Sequence, residues 1–115
     1  MKVDKNCIFC KIIAGNLESK LVFESDNFVV FEDINPKAPV HVLVVPRNHI
    51  ANVNDINEHD QEIMGTVFEV IQTVAKKMSI AEAYQLKVNN GAGAGQVVDH
   101  LHIHLLGGWA ERQQD

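Results

Sequence analysis

Three histidines stand at alternate positions near the end of the chain, and this spacing constrains the fold more than any other feature. The run reads His100-Leu101-His102-Ile103-His104 and continues into Leu105 and Leu106. Side chains alternate across a β-strand with a period of two, so the run predicts a strand with imidazoles on one face and apolar side chains on the other. Because the apolar face can pack on a core, we expect the three imidazoles to line a common surface.

Three histidines on one strand face allow three interpretations. They could be a solvated surface without a role, although clustered imidazoles repel one another when protonated. They could bind a metal ion, since imidazole is a common ligand. They could act in acid, base or nucleophilic catalysis, because histidine titrates near neutral pH and can form covalent intermediates. The spacing alone does not choose between metal binding and catalysis.

A glycine-rich loop directly precedes the histidine run. It reads Asn89-Asn90-Gly91-Ala92-Gly93-Ala94-Gly95-Gln96. The backbone N–H groups of such a loop can approach an anion closely, although a plain flexible turn explains the composition about as well. Placed before three histidines, the loop favours a site in which a phosphate is held while a histidine attacks phosphorus.

The remaining segments predict an α+β fold with a largely antiparallel sheet. Apolar runs between turn residues predict strands, and helical periodicity predicts helices. We expect a short helix over 8–14, a hairpin of strands 20–24 and 28–31, a loop over 35–39 and a strand over 41–45. We then expect one long helix over 57–79, a strand over 85–89 and a final strand over 101–106. The apolar stripe of the long helix includes Ile63, Met64, Val67, Phe68, Ile71, Val74, Ala75 and Met78.

Composition limits the partners of the chain. Its 115 residues fit one domain, residues 1–115, and its formal net charge is -5. This charge argues against a nucleic-acid polymer or an anionic membrane as the main partner, since both attract basic surfaces. No apolar run approaches the roughly 20 residues of a membrane span, and the N-terminus lacks the apolar stretch of a secretory signal. We therefore expect a cytoplasmic protein.

Two cysteines near the N-terminus are spaced C-x-x-C. In a reducing compartment a structural disulfide between Cys7 and Cys10 is not expected. The pair could be a redox motif, half of a metal site or two small apolar residues. A redox pair usually follows a strand, and no strand is predicted before Cys7.

Through these motifs the chain resembles the histidine-triad family of nucleotide-binding proteins, in its phosphoramidase-like branch. The family signature is His-φ-His-φ-His-φ-φ, where φ is apolar, and it is complete over residues 100–106. Four further segments match in the same order, namely 7–13, 31–41, 46–50 and 95–96.

The resemblance implies a fold and a set of site residues. The implied fold is α+β, with a five-stranded antiparallel sheet, one long and one short helix, and two copies joined in a homodimer through the long helix and strand 85–89. His102 would be the nucleophile that accepts the nucleotidyl group, His104 would contact the phosphate or leaving group, and His100 and His41 would support the site. The implied nucleotide-binding residues are Phe9, Phe31, Ile34 and Leu43 for the base, Asp33 for the ribose, and Asn89, Gly95 and Gln96 for the phosphate.

The implied activity is hydrolysis of purine nucleoside phosphoramidates, such as aminoacyl-linked nucleotides, through a covalent nucleotidyl-histidine. This reaction needs no cofactor. Three alternatives stay open: a dinucleoside polyphosphate hydrolase of the same family, a nucleotide-binding module without catalysis, and a protein in which the three histidines hold a catalytic metal ion. The chain departs from many relatives at Val97, where they carry serine or another polar residue, and this bears on leaving-group preference.

Some members of the family carry the same cysteine pair and bind zinc with two histidines. By position, the ligands here would be Cys7, Cys10, His49 and His100. Cys2His2 is a closed tetrahedral set, so such a zinc ion would be structural.

Overall fold

The computed structural model describes residues 1–114, and five strands form one sheet within that range. The strands are β1 (Leu21–Glu24), β2 (Phe28–Glu32), β3 (Val40–Pro46), β4 (Tyr84–Lys87) and β5 (Ile103–Gly107). Their order across the sheet is β1-β2-β3-β5-β4, and every neighbouring pair is antiparallel. The expected α+β architecture with a five-stranded antiparallel sheet is confirmed.

The described residues form three α-helices, α1 (Ile8–Ile13), α2 (Glu58–Met64) and α3 (Val67–Lys77). The long helix predicted over residues 57–79 lies in the expected place but is interrupted, because Gly65 and Thr66 separate α2 from α3. Asn57 and Asp60 form a reciprocal capping box that fixes the start of α2. Glycine is a weak helix former, which accounts for the break after the last turn of α2. None of the helices within residues 1–114 is long and apolar enough to cross a membrane.

A hydrophobic core lies on each face of the sheet. Helix α3 covers one face, and that core includes Val30, Val42, Val44 and Leu105 of the sheet with Val67, Ile71 and Val74 of the helix. Helix α1 covers the other face, where Cys7, Phe9 and Cys10 pack with Val29, Phe31, Leu43 and Val45.

The apolar stripe predicted for the long helix is wrong at one position. Phe68 is 61% exposed, whereas Val67 and Ile71 are buried. Helical periodicity places Val67, Ile71 and Val74 in one line toward the sheet, and Phe68 lies beside that line. The ring of Phe68 is therefore accessible to a contact with another molecule.

The start of the last strand also differs from its prediction. Strand β5 begins at Ile103 rather than at residue 101. The N–H of Leu101 donates to the carbonyl oxygen of Ile50 at 2.6 Å, and the N–H of His100 donates to that of Val98 at 2.8 Å. These bonds hold the chain out of the sheet ladder before Ile103, so the alternation of side chains does not extend back to His100.

Candidate active site

Three imidazoles form a row on the sheet face that α1 covers. His104 of β5 lies opposite Leu43 of β3. The ring centroid of His104 is 5.0 Å from that of His102 and 5.1 Å from that of His41. His41 and His102 are buried, and His104 is partly exposed. The row therefore draws on two adjacent strands and on the short segment that precedes β5.

The hydrogen bond of His102 fixes which of its nitrogens carries the proton. Its Nδ1 lies 2.7 Å from the carbonyl oxygen of His100. A carbonyl oxygen only accepts, so Nδ1 is the protonated nitrogen and donates this bond. In the neutral ring Nε2 then keeps an unprotonated lone pair, which is the form that a nucleophile requires.

A second chain of hydrogen bonds orients His104. The backbone N–H of Lys37 donates to Nδ1 of His41 at 3.0 Å, so the proton of the neutral His41 ring is on Nε2. That Nε2 lies 2.9 Å from Nδ1 of His104 and donates to it. His104 therefore carries its own proton on Nε2, as a donor to a bound group. The carboxylate of Asp33 lies beside this bond, with Oδ2 3.4 Å from Nε2 of His41.

Burial keeps these rings uncharged. Burial is the main cause that lowers the pKa of His104 to about 4; the charges of His102, His41 and Lys87 act in the same direction, while Asp33 acts in the opposite direction. Burial also lowers the pKa of His41, with Asp33 again opposing the shift. His104 is therefore a neutral hydrogen-bond donor at pH 7. A neutral donor can stabilise negative charge that develops on a phosphate oxygen.

Asp33, His41 and His104 also offer three possible ligand atoms within 4.8 Å of one another. The proton on Nε2 of His41 accounts for this approach without an ion, because it bonds to His104. The structure argues against the alternative in which His100, His102 and His104 bind one catalytic metal ion, because the ring of His100 is turned away from the other two. Both ring nitrogens of His100 face other groups, as described below.

Three of the four residues predicted to bind the base lie together, and the fourth does not. The rings of Phe9 and Phe31 meet edge to face with centroids 5.3 Å apart, and Leu43 packs in the same buried cluster. Ile34 is not a member of this cluster and is 88% exposed. It lies with Asp33 on the wall of an open cleft that reaches His41. Ile34 therefore offers an apolar rim rather than a buried wall.

The glycine-rich loop does not present the amides that the resemblance implied. The N–H groups of Gly95 and Gln96 donate within the loop, to the carbonyl oxygens of Ala92 at 3.0 Å and Gly91 at 3.1 Å. Asn89 likewise donates its side-chain amide to Ala94 at 2.8 Å. In this conformation the predicted phosphate contacts of Gly95 and Gln96 are not formed, because a closed turn uses their donors.

The side chain of Gln96 has a structural role that the sequence did not reveal. Its Oε1 accepts the N–H of Gly91 at 2.7 Å, and its Nε2 donates to the carbonyl oxygens of Ala51 at 2.7 Å and Val98 at 3.0 Å. Gln96 is buried while its neighbour Val97 is 91% exposed. The loop is thus anchored at Gln96, and Val97 projects from it.

His100 does not share the surface of the other two triad histidines, so the predicted common surface is wrong at this position. The side chain is fully buried. Its Nε2–H donates to the carbonyl oxygen of Pro46 at 2.8 Å, which leaves the lone pair on Nδ1. That Nδ1 lies 3.3 Å from Sγ of Cys7 and 3.6 Å from Sγ of Cys10. The side chain of His100 points toward the cysteines because the backbone bonds of His100 and Leu101 keep this segment out of the strand.

Cys7, Cys10, His49 and His100 form a buried cluster whose geometry fits a tetrahedral metal ion. Nδ1 of His49 lies 3.1 Å from Nδ1 of His100 and 3.4 Å from Sγ of Cys10. Ligand atoms about 2.0–2.3 Å from a tetrahedral zinc ion lie roughly 3.3–3.8 Å from one another, close to these separations. Burial raises the pKa of Cys7 to about 11, so an ion would have to displace its proton. Nε2 of His49 points away from the cluster and lies 3.9 Å from a carboxylate oxygen of Asp4, beyond hydrogen-bond distance.

Backbone groups supply contacts that the sequence does not assign to particular residues. The N–H of Lys37 and the carbonyl groups of Pro46 and His100 set the proton positions of three rings. Every non-proline residue carries the same N–H and C=O, so no residue type marks these contacts. The prolines around Lys37 were the only available signal, since they indicate a constrained loop.

Comparison with known proteins identifies the family. Residues 6–114 match the family described as "Scavenger mRNA decapping enzyme C-term binding". A HIT-like protein of Chlamydia trachomatis serovar D is 46% identical over 101 residues, which cover 88% of this chain and 91% of that protein. This chain belongs to the histidine-triad (HIT) family.

Solved structures of HIT proteins share the fold of this chain. A HIT family hydrolase from Clostridium thermocellum is 45% identical, with a TM-score of 0.91 over 97% of this chain and 98% of that one. A Zn-bound histidine triad family protein from Mycobacterium smegmatis is 27% identical, with a TM-score of 0.77 over 91% of this chain and 76% of that one. This HIT protein therefore shares its fold with proteins that include a HIT family hydrolase, and it keeps the complete histidine signature over residues 100–106.

Proposed function

We propose that this HIT protein hydrolyses purine nucleoside phosphoramidates, with His102 as the nucleophile. The observation that carries the proposal is the bond from Nδ1–H of His102 to the carbonyl oxygen of His100, 2.7 Å long, which leaves Nε2 free to attack. His104 adds a neutral N–H donor beside it. A nucleophile next to a fixed donor suits transfer of a phosphoryl-type group.

The reaction proceeds in two displacements. Nε2 of His102 attacks the α-phosphorus, the phosphorus–nitrogen bond breaks, and the leaving amine takes up one proton. Water then attacks the nucleotidyl-histidine, His102 departs, and the nucleoside monophosphate and one proton are released, so protons balance over the cycle. Nε2–H of His104 would stabilise charge on a phosphate oxygen in both steps.

Recognition of the nucleotide would use both walls of the site. Phe9, Phe31 and Leu43 supply an apolar surface for the purine, with Ile34 at its rim. Asp33 has a carboxylate positioned between the cleft and His41, where it would accept hydrogen bonds from ribose hydroxyls. Gly95 and Gln96 would contact phosphate through their backbone only after the loop turn opens, since both N–H groups donate within it, whereas the side-chain amide of Asn89 keeps a second N–H for phosphate.

A zinc ion would be held by Cys7, Cys10, His49 and His100. The fit of the four ligand atoms supports this assignment, and the Zn-bound relative from Mycobacterium smegmatis makes zinc the first ion to test. When bound, the ion supplies structural cross-linking rather than reaction chemistry, because all four positions of a tetrahedral site are filled.

The chain would act as a homodimer that joins α3 and β4 of two copies. Strand β4 lies at the edge of the sheet, and Leu86 is exposed on it. Phe68 on α3 is exposed as well. An unpaired edge and a large exposed ring are features that pairing with a second copy would cover.

The test is a substrate panel run beside His102→Ala. Aminoacyl-linked adenosine and guanosine phosphoramidates would be compared with dinucleoside polyphosphates and with simple nucleotides. We expect turnover of the phosphoramidates, a nucleotidyl-histidine trapped by denaturation at alkaline pH, where its phosphorus–nitrogen bond survives, and loss of both in His102→Ala while nucleotide still binds. His59→Ala is the matched control, because His59 is exposed on α2 and belongs to neither site.

Other outcomes of the panel contradict the proposal. Faster cleavage of dinucleotides would assign the chain to the dinucleoside polyphosphate hydrolases. Tight binding without turnover or covalent adduct would make it a nucleotide-binding module. Full activity in His102→Ala would remove His102 as the nucleophile.

A further inference from the structure

We infer that His100 couples the Cys7–Cys10–His49–His100 cluster to the nucleophile, so that metal occupancy of the cluster sets the orientation of His102. The inference rests on the proposed function, because it concerns the same nucleophile. His100 takes part in both places with different atoms. Its Nδ1 lies 3.3 Å from Sγ of Cys7, and its carbonyl oxygen accepts Nδ1–H of His102 at 2.7 Å.

The peptide group between His100 and Leu101 is held at both of its polar atoms. Its oxygen accepts from His102, and its N–H donates to the carbonyl oxygen of Ile50 at 2.6 Å. A peptide group is planar, so a rotation that displaces the N–H displaces the oxygen as well. Ile50 directly follows His49, which is a member of the cluster. The carbonyl that orients His102 therefore depends on the position of residues 49 and 50.

The cysteine–histidine cluster also links residues 49 and 100, through their side chains rather than through the backbone. It brings together the start of α1, residue 49 and residue 100, although 93 positions separate Cys7 from His100 along the chain. Nδ1 of His49 and Nδ1 of His100 face each other at 3.1 Å. The proton of the neutral His100 ring is on Nε2, so its Nδ1 presents a lone pair to His49 and to both thiols. Four bonds to one ion would replace weak sulfur contacts with a rigid link, since sulfur is a weak hydrogen-bonding partner.

Phe9 provides a second connection between the cluster and the nucleophile. It lies on α1 between the two cysteines, and its ring centroid is 5.9 Å from that of His100. The same ring meets His102 at 5.1 Å with its plane at 87° to the imidazole. A shift of α1 on loss of the ion would therefore move the ring of Phe9, against which His102 packs.

His100 is thus a positioning residue, since its groups act on His102 and not on the substrate. Loss of the His100–His102 bond would free Nδ1 of His102 to lose its proton and Nε2 to gain one. We expect kcat to fall by about tenfold, the usual value of one such hydrogen bond. KM should rise because Phe9 adjoins the cluster, but it should change less than kcat, since Asp33 and Ile34 lie on the cleft outside the cluster.

The experiment follows the ring proton of His102 by NMR in protein labelled with 15N-histidine. The Nδ1–H signal is assigned by its absence in His102→Gln. Three samples of the wild-type protein are compared: zinc-loaded, stripped with a chelator, and refilled with zinc. We expect a sharp, slowly exchanging signal in the loaded protein, exchange faster by about tenfold or more after stripping, and recovery on refilling.

His49→Gln provides a second route to the same state. It removes one ligand and leaves His100 and His102 in place, so its His102 signal should match that of the stripped wild type. His59→Gln is the matched control and should give the wild-type signal, because His59 lies outside the cluster. Dispersion of the amide spectrum reports whether His49→Gln is folded, and the stripped wild-type sample decides the question if it is not.

Two results would overturn the inference. One is an identical His102 signal in loaded and stripped protein that is folded in both states. The other is failure of the purified protein to bind one zinc ion per chain. Failure of the proposed function looks different, since the loaded protein would then turn over no phosphoramidate although its His102 signal still followed the metal.

Discussion

Nε2 of His41 and Nδ1 of His104 lie 2.9 Å apart, and a backbone group decides the direction of the hydrogen bond between them. The N–H of Lys37 occupies the other nitrogen of His41, so His41 donates and His104 accepts. This places a proton on the outward nitrogen of His104. The backbone N–H of a loop residue thus determines which nitrogen of His104 carries the proton.

Replacing His41 tests this relay. His41→Phe keeps an aromatic ring in β3 but removes the donor, so His104 is free to hold its proton on either nitrogen. We expect kcat for phosphoramidate hydrolysis to fall by about tenfold, the usual value of one hydrogen bond. Steady-state kinetics measure the effect. Lys37→Ala is the control and should lower kcat much less, because the bond to His41 comes from the backbone N–H of Lys37, and its side-chain amine donates only to the carbonyl oxygen of Asn35 at 3.2 Å.

The lowered pKa of His104 predicts a pH dependence of stability. Its pKa is about 4 in the folded protein against 6.5 for an ordinary histidine. Between these values the unfolded chain binds more protons, so the free energy of unfolding falls as pH decreases from about 6.5 to about 4. The groups that face this ring are His102, His41, Asp33 and Lys87.

Thermal unfolding at fixed ionic strength between pH 4 and 7 measures this dependence. His104→Gln removes the titrating group, so its melting temperature should fall less steeply over the same range. Parallel curves for the two proteins would show that His104 does not contribute.

The exposed ring of Phe68 predicts how the chain associates. If α3 and β4 form the interface of a homodimer, Phe68→Glu places a charge in an apolar contact and should raise the dimer dissociation constant by at least about tenfold. Light scattering coupled to size-exclusion chromatography measures the mass across a dilution series. Glu69→Gln changes an exposed neighbour and should leave the mass unchanged. A wild-type protein that is monomeric at all concentrations would contradict the dimer.

The anchor at Gln96 predicts a sharp contrast between adjacent residues. Gln96→Ala leaves the N–H of Gly91 and the carbonyl of Ala51 without partners, so we expect the free energy of unfolding to fall by about 1–3 kcal/mol. Val97→Ala removes an exposed side chain and should change it by less than about 0.5 kcal/mol. Urea titration measures both. Equal effects would mean that the glycine-rich loop is not anchored as described.

The sheet and its helices followed from local patterns, while two features of the helical segment did not. Apolar runs between turn residues predicted the strands, and β2 and β3 read as continuous runs because they are buried on both faces. Periodicity also predicted helix over residues 57–79, but it reports which face is apolar and not what covers it. That is why Phe68 was assigned to the core although it is exposed. The break at Gly65 was not predicted, because the apolar stripe continues across it and the low helix propensity of glycine was given less weight than the stripe.

The site was predictable where side-chain type decides the chemistry. His102 and His104 lie together as predicted, and so do the four members of the cysteine–histidine cluster. The position of His100 was not predictable from alternation. Strand β5 begins only at Ile103, because the N–H of Leu101 bonds to Ile50, which is distant in sequence. The resemblance assigned the amides of Gly95 and Gln96 to phosphate, and in this conformation their own turn takes up both donors.

Phe9 lies in the two-residue gap of the cysteine motif while touching both His100 and His102. Its side chain is therefore subject to two sets of constraints at once, one from the cluster and one from the site. In a saturation mutagenesis screen for activity, position 9 should tolerate as few substitutions as the cysteines that flank it. The neighbouring Ile8, half exposed on the same helix, should accept many.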